Sequence, residues 1–144
     1  HGAWMDFHPG DGDLREWGEF VQGARSGTWQ RASQDGVILE AALYENDRRH
    51  GVAKVWNDAS TLIEESTYVH GAKTGPQRTW YDDGVLQSEG ELEDGLRTGY
   101  WSYYKANGTL NELWSGEYAE DQRVGPGTPP AAATGGDGES KNAR

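Results

Sequence analysis

Gly75 to Lys105 reads GPQRTWYDDGVLQSEGELEDGLRTGYWSYYK, with apolar and polar residues alternating on both sides of Asp83-Gly84. A period of two sends successive side chains to opposite faces of a strand. Asp-Gly between two such runs is a strong hairpin signal, because a tight turn needs positive φ. With Asp83 and Gly84 as the central turn residues, Tyr81 stands opposite Leu86 and Arg78 opposite Glu89. The same count sets Lys54 opposite Glu65. A second turn is expected over each Gly-x-x-x-Gly stretch: Gly23 to Gly27, Gly71 to Gly75 and Gly95 to Gly99. Asp47 and Asp121 take the place of the first Gly in the other copies, and Asp also visits left-handed conformations. A helix would need apolar residues at i, i+3, i+4 and i+7, and no window sustains that.

Outward from this stretch the chain repeats. Gly27, Gly51, Gly75 and Gly99 stand 24 residues apart, and Ile38, Leu62, Leu86 and Leu110 keep the same step. Phe20, Tyr44, Tyr68 and Leu92 run in phase with them, as do Trp56, Trp80 and Tyr104. The equivalent turn signals are Asp11-Gly12, Asp35-Gly36, Ala59-Ser60 and Asn107-Gly108. Self-similarity at a fixed period of this size marks a stacked array, in which each unit hides its apolar face only against its neighbours. The first unit is incomplete, Gly2-Ala3-Trp4 matching Gly27-Thr28-Trp29 with one residue missing. Gly125 follows Gly99 by 26 residues, which places a two-residue insertion between Leu110 and Tyr118. The expected fold is all-β: an elongated, single-layer antiparallel meander of five to six hairpins over residues 1–125, with atypical end units as caps. From Pro126 the text PGTPPAAATGGDGESKNAR loses the period and the aromatics, so residues 126–144 read as a disordered tail or linker.

Composition agrees with an array rather than a compact globule. Of 144 residues 34% are hydrophobic, but seven Trp, seven Tyr and two Phe bring large apolar area at small rotamer cost. The absence of cysteine excludes a disulfide scaffold and thiol chemistry. A net charge of −11 works against nucleic acid phosphates and anionic lipid headgroups, and favours a basic partner. No apolar run approaches the roughly 18 residues of a membrane span. The chain starts at His1, which reads as a mature form or an excised piece; the cytoplasm is favoured, with a cleaved leader left open.

Four groups of residues are candidates for chemistry or binding. The aromatics come first: Trp101, Tyr103 and Tyr104 in one strand and Trp80 and Tyr81 one unit earlier place rings on both faces of the sheet. These rings either form a thin core in columns against the glycines or line a groove for a partner strand or a sugar. Glu16, Glu40, Glu64 and Glu112 lie in phase with Ser88 in the gap, about 10 Å apart by strand spacing. That spacing is too wide for a shared-proton pair, and leaves a solvated acidic edge or a ribbon that imitates a nucleic acid backbone in a basic toxin's cleft. His50 and His70 take different positions in the unit and form no column, so no metal site is expected of them. Asp-rich turns lack a calcium loop's distal Glu, and no Gly-x-Ser-x-Gly turn or phosphate loop is present. No catalytic residue, cofactor or metal is expected.

The unit Gly-Tyr-Trp-Ser-Tyr-Tyr-x-x-x-Gly-x-Leu, followed by an aromatic and Gly-x-x-x-Gly, resembles the MORN repeat, and more narrowly its bacterial variant of the YwqK-like antitoxin type, over residues 2 to 125. Ala59-Ser60, Asp47 and Ala32 depart from the pattern. The resemblance implies a twisted single-layer sheet of hairpins that binds or scaffolds without chemistry of its own. For the bacterial variant it implies toxin neutralisation. The expected partner is a protein, either a basic toxin or a second copy joined through the sheet edges. A cell-surface carbohydrate-binding repeat protein and a membrane-associated lipid-binding module are the alternatives.

Overall fold

A computed structural model describes residues 1–10 and 12–131, the side chain of Leu14 excepted. Eleven strands follow one another: β1 Gly2–Phe7, β2 Leu14–Val21, β3 Ala24–Ala32, β4 Ile38–Glu45, β5 Arg48–Trp56, β6 Leu62–Val69, β7 Ala72–Trp80, β8 Leu86–Glu93, β9 Leu96–Tyr103, β10 Gly116–Ala119 and β11 Gln122–Gly125. They form one open antiparallel sheet in chain order, the all-β meander that the alternation calls for. Asp11 of the first expected turn, and the expected tail from residue 132 on, lie outside the described residues. Residues 126–130 form no strand, yet Pro129 and Pro130 lie against the sheet.

The two kinds of turn are placed differently from the expectation. The Asp83-Gly84 turn is not a two-residue turn. Gly84 donates to the Tyr81 carbonyl, Tyr81 donates to the Val85 carbonyl, and only Gly84 of the central pair has positive φ. Leu86 therefore pairs with Trp80 rather than with Tyr81, across a register shift between Thr79 and Trp80. Beyond the shift the expected register holds, Arg78 facing Glu89 and Lys54 facing Glu65. The tight turns lie at the start of each Gly-x-x-x-Gly stretch, where both central residues have positive φ: Gln22-Gly23, Asn46-Asp47, His70-Gly71, Asp94-Gly95 and Glu120-Asp121. The second glycine of the stretch is not part of the turn. Gly75, at φ +118°, sits inside β7 beside the shift that separates the Ser66–Gln77 and Tyr68–Lys73 pairs.

Much of the burial follows one row that crosses the strands, with Leu92, Tyr118 and the half-buried Tyr103 packed around Trp101 near one end. Register links Trp4 to Gly18, Trp29 to Ala42, Ala42 to Ala53, Ala53 to Ser66, Ser66 to Gln77, Gln77 to Gly90 and Trp101 to Gly116. Trp29, Ala42, Ala53, Ser66 and Trp101 of this row are buried. The shelter of a one-layer sheet is thus shared sideways, strand by strand, with no closed interior.

Candidate binding surface

On the face of the buried row, cations recur at the repeat spacing. Arg25, Arg49, Lys73 and Arg97 each follow the tight turn, and each backbone carbonyl accepts the amide of a turn residue one unit on, Asp47, Gly71, Gly95 and Asp121, at 2.7 to 3.1 Å. The side chains lie over rings. The Arg25 guanidinium is 4.3 Å from the Trp29 centroid, Arg49 is 5.4 Å from Tyr68, and Arg97 is 4.4 Å from Tyr118.

These cations also neutralise the in-phase glutamates. Glu16 pairs with Arg25 at 3.1 Å, Glu40 with Arg49 at 2.5 Å and Glu64 with Lys73 at 2.7 Å. Neither the solvated acidic edge nor the negative ribbon describes Glu16, Glu40 and Glu64, which form a half-buried ionic ladder; of the four glutamates only Glu112 stands exposed. Glu64 accepts further bonds from Ser66 and Gln77. Burial alone would raise its pKa, but those bonds and the Lys73 charge hold it below the usual carboxylate range. Arg97, in the unit where Ser88 takes the in-phase place of the glutamate, bonds Asp121 at 2.6 Å, and that bond keeps Asp121 low. Burial opposes the charge of Arg49, while the Tyr44 hydroxyl and Glu40 hold its pKa above the ordinary value.

The five aromatics singled out in the sequence separate. Trp101 is only 3% exposed, its indole flat against Gly90 and its Nε1 donating to the Glu91 carbonyl at 2.9 Å. A Cβ built on Gly90 would stand 2.3 Å from Trp101 Cδ2, so the close approach requires glycine. Trp29 repeats this over Gly18, donating to Glu19. Trp101 thus belongs to the framework and offers a partner no surface. Tyr103 is half-buried, its hydroxyl accepting from Arg97 at 2.7 Å. Trp80 and Tyr104 come together with Leu86, Arg78 and Glu89 in a shallow hollow. Tyr81, Tyr103 and Tyr104 border a second hollow with Trp114, where the Tyr81 hydroxyl donates to the Tyr104 carbonyl at 2.7 Å.

The structure adds residues that the sequence reading passed over. Trp114, 56% exposed, sits in the insertion, out of phase with every series. Tyr100, with Tyr104 and Leu110, lines a groove of about 550 Å³. The cations were legible as a fifth series of step 24. His50 and His70, at different positions of the unit, nonetheless meet: their rings are 4.6 Å apart and the His70 amide donates to His50 Nδ1. The tight turn of one unit folds back on the strand of the preceding unit, so residues 20 apart become neighbours. Among the described residues, no group of three or more His, Asp or Glu is arranged to hold a metal.

Residues 73–94 match the MORN repeat variant. The matched span is the hairpin of β7 and β8 with its Tyr81 to Gly84 turn, and a MORN repeat points in general to a binding or scaffolding role. No curated protein matches the chain.

Proposed function

We propose that the chain is a non-catalytic protein-binding module, of the antitoxin or immunity kind, that docks a basic protein such as a toxin. The observation that carries this reading is a set of rings gathered in two neighbouring hollows of the sheet: Trp80 and Tyr104 border one, beside the Arg78–Glu89 ion pair, and Tyr81 and Trp114 border the next. Large rings with a polar rim are what protein interfaces use as anchors, and a net charge of −11 speeds encounter with a basic partner. Open edges at β1 and β11 also leave room for a second copy to add its strand.

The test is capture of the basic proteins encoded beside this chain, with the full chain immobilised and Trp80→Ala/Tyr104→Ala as the control. The reading expects a basic protein to be retained by the parent and lost by the double variant. Equal retention by both would remove these rings as anchors. A glycan array that gives clear hits, with no protein retained, would favour the carbohydrate reading. Sedimentation with anionic vesicles is expected to leave the chain in the supernatant.

A further inference from the structure

The segment after β11 turns back across the sheet. Gly127 has φ +62°, and a Cβ built on it would stand 2.9 Å from the Glu117 Cβ and 3.0 Å from the Glu117 nitrogen. The chain therefore lies close against β10 along a path that favours glycine. Glu117 pairs with Tyr100, and beyond it Pro129 and Pro130 wall the groove that holds Tyr100, Tyr104 and Leu110. Every other lining residue comes from β7, β8, β9 or the Tyr104–Leu110 bridge. Prolines and tyrosine rings share the walls of this groove, and tyrosine-lined grooves are where extended proline-rich segments dock: the backbone is already stiff, so little order is lost on binding. Of the groove's carboxylates, Glu89 is matched by Arg78 at 3.2 Å, while Glu91 and the adjacent Glu117 form no ion pair among the described residues.

We propose that this groove docks a proline-rich segment of a protein partner carrying Arg or Lys beside its prolines, and that Pro129-Pro130 of the chain itself restrict access until the partner displaces them. The proposal rests on the binding-module reading and adds to it the chemistry of the partner segment. Tyr100 and Tyr104 take the prolines, and Glu91 and Glu117 take the cation. The tethered proline pair competes at an effective concentration on the order of millimolar.

The test titrates a fluorescein-labelled ten-residue peptide of Pro-Pro and Arg into the full chain and two released forms. Gly127→Val keeps both prolines but cannot lie against Glu117; Pro129→Ala/Pro130→Ala keeps the path but removes the rings. Both are expected to bind the peptide at least about fivefold tighter than the parent, as loss of a tethered competitor requires. Tyr100→Ala in the Pro129→Ala/Pro130→Ala background is expected to lose at least about tenfold with an unchanged far-UV spectrum, and Glu for Arg in the peptide to abolish binding. Equal affinity of parent and both released forms, indifference to Tyr100→Ala, or equal binding of the Glu peptide would overturn the proposal. If the peptide fails while a basic protein is still retained through Trp80 and Tyr104, only this groove falls; if both fail, the binding-module reading falls with it.

Discussion

The ends and the middle of the buried row are filled in opposite ways. At Gly18–Trp29 and Gly90–Trp101 one strand gives up its side chain altogether and the next lays an indole over the gap, with the ring nitrogen bonded to the carbonyl just after the glycine. Between them the row holds only Ala42, Ala53, Ser66 and Gln77, and cover comes from Tyr44, Arg49, Tyr68, Lys73 and their glutamates. One backbone repeat thus supports an apolar and an ionic solution. The first gathers apolar contacts about one indole, Trp4, Phe20 and Tyr44 around Trp29 and Leu92, Tyr103 and Tyr118 around Trp101; the second spreads its cover over pairs that are each worth little.

The ends and the middle differ most in what a single truncation removes. Trp101→Ala is expected to cost about 3–5 kcal/mol, the range for emptying an aromatic site, while Gln77→Ala in the corresponding place of the middle costs under about 1 kcal/mol; chemical denaturation measures both. Gln77→Trp alone meets the Ser66 side chain, whereas with Ser66→Gly the indole has the floor it has at the ends, so a double-mutant cycle should give a favourable coupling of about 1–3 kcal/mol. Ser60 holds φ +64° where the matching turns have Gly36, Gly84 and Gly108, so Ser60→Gly is expected to raise stability by about 1 kcal/mol.

The smallest effect is that of pH. Glu64 has a folded pKa below its unfolded one, so its contribution is present above the unfolded value, about 4.3, and is lost as pH falls through the folded one. Glu64→Gln should flatten the acid limb of the stability profile below about pH 4, and an unchanged limb would mean that the carboxylate is not held by Lys73, Ser66 and Gln77.

Much of the fold was legible in the sequence, because strand alternation and a 24-residue step are both local in the text. The Arg78–Glu89 and Lys54–Glu65 pairs follow from counting alone. The turn at Asp83-Gly84 was not legible, since one dipeptide serves two turn types and the extra residue at Gln87 shows only once Trp80 and Leu86 are seen to pair. The site was half legible. Its rings were named, but which were framework depended on Gly90, whose missing Cβ matters only with Trp101 above it. The His50–His70 contact and the return of Pro129-Pro130 join residues that no periodic reading brings together.

Native-state hydrogen exchange of Trp101→Ala tests the central claim, that shelter is shared from strand to strand along the row. If it is, amides of β8 to β11 lose protection while β2 to β5 keep theirs. Equal loss of protection across all strands would contradict it, and would mean that the sheet is held as a single indivisible unit.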